Sequence, residues 1–300
     1  MENHRNAWLN EKPVIGVLHV PALPGSPRSV LSFSDIRDWV MRDAEAYWAN
    51  GVRALGVDAL LLENFGDAPY YPERVPAETV AFMTSLACHV RSRFDLPLGI
   101  NILRCDGESA LAIAEASGAE FIRVATYSGA RVADQAVLQG KAHQIQRLKR
   151  ELGSQIAVFA DVMVRHSATT LGGRTLEDVV EDTVERALAD AVIVSGPATA
   201  TAPGLLPLQA ARVAAKNTRV FDGSGVREET IQAVLEVADG AIVGTAFKVD
   251  GVVTNPVDPE RVRRFMDAAR ASHSAGPGFA SPHNHGEGGQ PLVRTATNAN

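Results

Sequence analysis

From Lys12 to Arg270 the chain alternates short runs rich in Val, Ile, Leu and Ala with longer stretches in which apolar residues recur every three or four positions. The first pattern suits buried parallel strands and the second suits amphipathic helices that cross from one strand to the next. The strands are predicted at Val14–Val20, Ala59–Asn64, Leu98–Leu103, Phe121–Thr126, Ile156–Val162, Ala191–Ser195, Arg219–Asp222 and Ala241–Gly244. The helices are predicted at Ser34–Asn50, Ala77–Phe94, Glu108–Ser117, Gly140–Leu152, Leu176–Leu188, Leu205–Lys216, Arg227–Val237 and Pro259–Arg270. Ser34 before Asp35, and Thr175 followed three residues on by Asp178, read as helix starts. Gly51, Gly118, Gly153 and Gly240 follow helix ends and suit left-handed caps. Eight such pairs close a (β/α)8 TIM barrel. An open doubly wound sheet is the other architecture of this pattern, but Gly-x-Gly-x-x-Gly does not follow the first strand.

Composition narrows the picture. With 300 residues, 46% of them hydrophobic, the chain can bury one large core, and no Pro/Gly/Ser-rich linker divides it. A single barrel domain is expected over residues 13–271, preceded by a polar extension at 1–12 and followed by a disordered tail at 272–300. The net charge of −6 comes without a basic stripe, which counts against a nucleic-acid partner. No apolar run approaches the ~18 residues of a membrane span, and residues 1–12 lack an apolar signal core. A cytoplasmic protein is expected, with peripheral membrane association and homo-oligomerisation both compatible. Cys88 and Cys105 indicate neither a disulfide framework nor a thiolate zinc site. His273, His283 and His285 suit a solvated tail better than a metal site.

Two segments near the end carry the sharpest chemical signal: Arg219-Val-Phe-Asp-Gly-Ser-Gly-Val226 and Asp239-Gly-Ala-Ile-Val-Gly-Thr-Ala246. In a (β/α)8 barrel the loops after the last two strands hold phosphate when glycines let the backbone approach the anion. Gly223, Ser224, Gly225, Gly244 and Thr245 are therefore candidate phosphate-binding residues, with amides of Gly223, Gly225 and Gly244 expected to face the ligand. Ordinary tight strand-to-helix turns would also use these glycines. His19, Ser195, Gly196 and Asp222, at or near the ends of their strands, are further candidates for binding substrate.

Polar residues at the C-terminal ends of barrel strands face the active site, and a charge among Val, Ile and Leu costs stability unless it is paired. Glu63 and Asp161 are the candidates for general acid or base, since burial in a barrel mouth raises a carboxyl pKa. Arg123 needs a carboxylate partner, either Glu63 or Asp161, and a purely structural ion pair is the plain alternative. Asn101 and His166 are candidates to orient or polarise substrate, although His166 could instead cap the loop to Gly172-Gly173. His19, Glu63, Asp161 and His166 could together take a divalent metal, but no His-x-His spacing supports it. The lysines, Lys12, Lys141, Lys149, Lys216 and Lys248, avoid the ends of the middle strands, which argues against Schiff-base chemistry. What remains is acid/base work on a phosphorylated sugar or nucleoside-like compound: isomerisation, epimerisation, metal-assisted retro-aldol cleavage or glycosidic bond cleavage.

Five stretches resemble a known family: Ile15-Gly-Val-Leu-His-Val-Pro-Ala-Leu-Pro-Gly-Ser26, Leu62-Glu-Asn-Phe-Gly-Asp67, Leu98-Gly-Ile-Asn-Ile-Leu-Arg104, Phe159-Ala-Asp-Val162 with His166 after it, and Ile242-Val-Gly-Thr245 through Asn255-Pro-Val-Asp258. Together they look like the BtpA/SgcQ family. The resemblance implies a TIM barrel of the ribulose-phosphate-binding type and brings no settled reaction. One line of that family is tied to photosystem I accumulation in cyanobacteria as a membrane-associated biogenesis factor, and another sits with sugar-uptake genes. A non-catalytic stability factor for a membrane complex is thus the alternative to an enzyme. The chain departs from the family at Ala125, where asparagine is usual, and at Ala136, where glycine is usual. It also carries Thr199-Ala200 for a Thr-Gly pair and Arg165 for a frequent lysine.

Overall fold

The computed structural model describes residues 4–49, 55–163, 168–169, 174–196 and 204–274. The barrel strands are β1 (Val14–His19), β2 (Ala59–Glu63), β3 (Leu98–Asn101), β4 (Phe121–Val124), β7 (Ala157–Met163), β9 (Ala191–Val194), β10 (Arg219–Asp222) and β11 (Gly240–Val243). They close in the order β1-β11-β10-β9-β7-β4-β3-β2, every pairing parallel. The crossover helices are α1 (Phe33–Trp48), α2 (Ala77–Arg93), α3 (Gly107–Ser117), α4 (Ala142–Leu152), α5 (Leu176–Glu181), α6 (Leu205–Ala214) and α7 (Ile231–Val237), and α8 (Pro259–Ser274) follows the last strand. This is the (β/α)8 barrel that the alternation predicts.

The period of two along each strand sorts its side chains. Ile15, Val17, Ala59, Leu61, Phe121, Ala157, Phe159, Ala191, Ile193, Phe221 and Ile242 form the barrel interior. Their neighbours Val14, Leu18, Leu60, Leu62, Ile122, Val158, Val192 and Val220 pack outward in the cluster that includes the helix faces. The interior is stacked with aromatic rings: Phe121 lies 4.7 Å from Phe159, which lies 5.0 Å from Phe221. Gly99 and Gly240 make room for those rings, because a Cβ would come within 2.2 Å of Phe121 at one and 2.4 Å of Phe221 at the other. A 3-10 helix at His4–Glu11 carries Trp8 and Leu9 into the same interior cluster, with Trp8 centred 5.6 Å from Phe121. The stretch that reads as a polar extension thus ends in an aromatic plug at the N-terminal end of the barrel.

Local signals hold in part. Thr175 forms a capping box with Asp178, and Gly118 and Gly153 take left-handed caps at φ 71° and 65°. The cap of α1 is Ser32 rather than Ser34, because it is Ser32 that accepts from the Asp35 amide while Asp35 accepts in return. Gly240 is no cap. Helix α7 ends at extended Ala238, and Gly240 opens β11, kept small by the Phe221 ring. Gly51 lies outside the described residues. The connection after β4 also holds a hairpin, β5 (Ala130–Ala133) and β6 (Ala136–Gln139), that pairs with β8 (Ala168–Thr169) as a small sheet.

Candidate active site

Each interior series ends, at the C-terminal mouth, in a polar residue or a glycine: His19, Glu63, Asn101, Arg123, Asp161, Ser195, Gly223 and Gly244. All of these line one cavity of about 740 Å³. Register explains the grouping. His19 pairs with Glu63, Glu63 with Asn101 and Asn101 with Arg123, so four neighbouring strands present one row of polar side chains. Beyond them a β-bulge between Asp161 and Met163 breaks the pairing of β7 with β9 just where Asp161 enters the mouth.

Arg123 chooses Asp161. Its Nε donates to Oδ2 and its Nη2 to Oδ1, both at 2.9 Å, and Ser195 Oγ donates to the same Oδ1 at 3.1 Å. Burial alone would lower the Arg123 pKa, but the Asp161 carboxylate outweighs it and raises the value. Both oxygens of Asp161 are thereby engaged. Glu63 stands differently: Asn101 Nδ2 donates to its Oε2, and burial raises its pKa against the opposing pull of Arg123, that hydrogen bond and Arg104. Asn101 is 2% exposed, and its Oδ1 has no hydrogen-bond partner among the described residues. His19 packs edge-on against Phe65, the ring centroids 4.8 Å apart.

The far wall is made of glycine. A Cβ on Gly223 would lie 2.3 Å from Ile193 Cγ2 and 2.4 Å from Ser195 Oγ, and one on Gly244 would lie 2.6 Å from His19 Cε1. The amides differ from the sequence expectation at Gly223, whose N–H donates to Val194 O at 2.8 Å and continues the ladder. The Ser224 amide donates to Asp222 Oδ1 at 2.9 Å. Among the described residues, the amides of Gly225, Val226, Thr245 and Ala246 donate to no protein acceptor, and all four residues line the cavity. Gly225 takes φ 84°, which only glycine adopts readily. Ser224 Oγ is buried, also without a partner among the described residues.

Asp222 and Gly196 do not line the cavity. Asp222 follows inward-facing Phe221, so parity turns it out of the interior, where it is fully buried and shapes the turn to Ser224. His166, Arg165 and Thr199-Ala200 lie outside the described residues. No three His, Cys, Asp or Glu side chains among the described residues are gathered to hold a metal. None of the five lysines lines the cavity. Lys248, the one nearest the last strand, is buried in a 2.8 Å pair with Asp43 of α1.

Tyr70, Asp134 and Arg131 are among the residues that a strand-end reading misses. Tyr70 reaches the cavity from the loop after β2, its hydroxyl donating to Phe65 O at 2.7 Å, with burial raising its pKa. Asp134 arrives from the tip of the β5–β6 hairpin. Arg131 of β5 is buried and donates through Nη2 to Val162 O at 2.6 Å, holding the bulge behind Asp161. In the sequence Arg131 is marked only by its place between Ala130 and Val132, which does not separate a buried cation from a solvated one.

The BtpA family profile matches residues 10–271. Photosystem I biogenesis protein BtpA of Synechocystis sp. is 42% identical over 256 residues, 85% of this chain and 87% of the relative. Among solved structures, N-(5'-phosphoribosyl)anthranilate isomerase from Pyrococcus furiosus aligns with a TM-score of 0.51 at 16% identity, covering 86% of this chain and 98% of its own. Thiamine phosphate pyrophosphorylase from Pyrococcus furiosus aligns with a TM-score of 0.50 at 14% identity, covering 89% of this chain and 97% of its own. These two likenesses show a shared barrel fold.

Proposed function

This chain belongs to the BtpA family, and on that premise we propose that it is an enzyme performing acid/base chemistry on a phosphorylated sugar or nucleoside-like metabolite. The observation that carries the reading is Glu63, a buried carboxyl with a raised pKa, facing the same cavity as an arginine fixed by a second carboxylate. Glu63 takes and returns a proton at the reacting carbon. Arg123 has five N–H donors and spends two on Asp161; the others polarise a substrate oxygen and steady the charge that develops on it. Asp161 holds Arg123 in place rather than transferring protons itself, and Ser195 holds Asp161. The phosphate rests against the amides of Gly225, Val226, Thr245 and Ala246 and the Ser224 hydroxyl, on a wall kept open by Gly223 and Gly244. His19 completes the wall beside Gly244, and His166 remains a candidate to orient substrate.

Two neighbours on this fold are named for phosphorylated compounds, which is compatible with such a ligand. The name of the cyanobacterial relative favours a second reading, a stability factor for a membrane complex. Among the described residues no helix is long and apolar enough to cross a membrane. A scaffold gains nothing from a row of buried polar residues that each cost stability, and this weighs toward catalysis. A thermal-shift screen with inorganic phosphate, pentose and hexose phosphates and nucleosides, each with and without magnesium or manganese, tests the reading. Stabilisation by phosphorylated compounds is expected. A folded protein that none of them shifts would favour the scaffold.

A further inference from the structure

Asn101 Oδ1, without a partner among the described residues, bears on the molecule that fills the cavity. A buried acceptor with no donor costs stability comparable to a lost hydrogen bond, and a donor on the substrate would answer it. Three groups converge on the substrate's reacting end. Asn101 offers an acceptor, Glu63 a proton-transfer group bonded to that same side chain, and Arg123 the cationic donor next in register. A carbonyl alone would answer Arg123 and leave Asn101 Oδ1 empty. A carbinol alone would answer Asn101 and give Arg123 no developing charge to hold.

Resting on the reading proposed above, we infer that the substrate is a phosphorylated α-hydroxy carbonyl compound and that the reaction interconverts an aldose phosphate and a ketose phosphate. The hydroxyl on C2 donates to Asn101 Oδ1, and the carbonyl oxygen on C1 accepts from Arg123. Glu63 removes the proton from C2. The C–H electron pair becomes the C1–C2 double bond, and the carbonyl π pair moves onto O1, where Arg123 holds the charge. The hydroxyl proton passes from O2 to O1, Glu63 returns its proton to C1, and C2 becomes the carbonyl. Atoms and electrons balance with no co-reactant. Epimerisation is the poorer fit, because inversion calls for a second proton donor on the opposite face, and Asp161 has both oxygens engaged by Arg123 and Ser195.

The test follows deuterium uptake at carbon by proton NMR in D2O, using aldose phosphates of three to six carbons and their 2-deoxy counterparts, with thermal shifts recorded for each. At least one parent compound is expected to exchange its C2 proton and yield the ketose phosphate. Its 2-deoxy counterpart, which leaves Asn101 Oδ1 unanswered, is expected to exchange at least about 100-fold more slowly. Asn101→Ala, which also takes the hydrogen bond from Glu63 and so slows both compounds, should bring the ratio of parent to deoxy rates down toward one. Equal rates for parent and deoxy compounds in the wild type would overturn the assignment of the hydroxyl. Phosphates that stabilise the protein but never exchange would overturn the isomerase inference and leave the phosphate-ligand reading standing. Absence of any stabilisation would remove both.

Discussion

Arg123 and Asp161 face each other through two parallel hydrogen bonds of 2.9 Å inside the mouth of the barrel, their side chains 14% and 2% exposed. The pair fixes the orientation of a cation at the cavity, with Glu63 as a second carboxylate whose charge acts on Arg123. Asp161→Asn should destabilise the fold by about 3 kcal/mol, because the guanidinium loses the carboxylate that takes both of its hydrogen bonds and keeps only the longer-range attraction of Glu63. Arg123→Met combined with Asp161→Leu should recover most of that loss while abolishing activity. Urea denaturation of the three proteins checks both halves. A double variant no more stable than Asp161→Asn would mean that the pair holds the fold together rather than the site.

Glu63 gives the protein a signed dependence on pH. Burial raises its folded pKa above the ordinary value of 4.5. The contribution of this group to stability is fully present below that ordinary value and is lost as pH rises through the folded pKa, because ionising the buried carboxyl costs free energy. Glu63→Gln should accordingly melt higher than the wild type at pH 8, and the difference should shrink toward pH 4. Melting curves across this range decide it, and a gap that grows toward acid would contradict the assigned shift.

Ala136 begins β6 at φ 103°, a conformation in which a Cβ is strained, and glycine is the residue that the BtpA/SgcQ resemblance leads one to expect there. Ala136→Gly should stabilise the protein by about 1 kcal/mol, since relief of strain exceeds the added freedom of the unfolded chain. A variant less stable than the wild type would show that the hairpin carries no strain.

At the other end of the barrel, Trp8→Ala removes the ring that covers Phe121 and should cost about 3 kcal/mol or more. Ligand affinity should be unchanged, because the aromatic stack separates Trp8 from the mouth. Chemical denaturation and ligand titration of the same variant separate the two effects.

Much of this was legible in the chain. The strands announce themselves because each is a run buried on both faces, and the row His19, Glu63, Asn101, Arg123, Asp161, Ser195 is the polar end of each inward series. Parity also placed Asp222 out of the cavity, since Val220-Phe221-Asp222-Gly223 can point only alternate residues inward, but a reading by strand ends alone does not use it. The β5–β6–β8 sheet was not legible, because β5 and β6 are short and half exposed and β5 pairs with β8 from a distant loop. The partner of Arg123 was a choice between two carboxylates that only register and the bulge after Asp161 decide. The free amides likewise depend on where the β10 ladder stops, one residue later than the glycine pattern suggests.

Calorimetric titration of the wild type and of Ser224→Asp with the sugar phosphate that most stabilises the fold reads the phosphate site itself. Ser224 has a buried hydroxyl without a partner among the described residues, at the corner where the phosphate is placed, so a carboxylate there should repel the anion and leave the barrel intact. The wild type is expected to bind, with about 2.7 kcal/mol of added stability at a hundred times the dissociation constant, and the folded variant is expected to lose binding. Equal affinity in the two proteins, or none in the wild type, would contradict that placement of the phosphate.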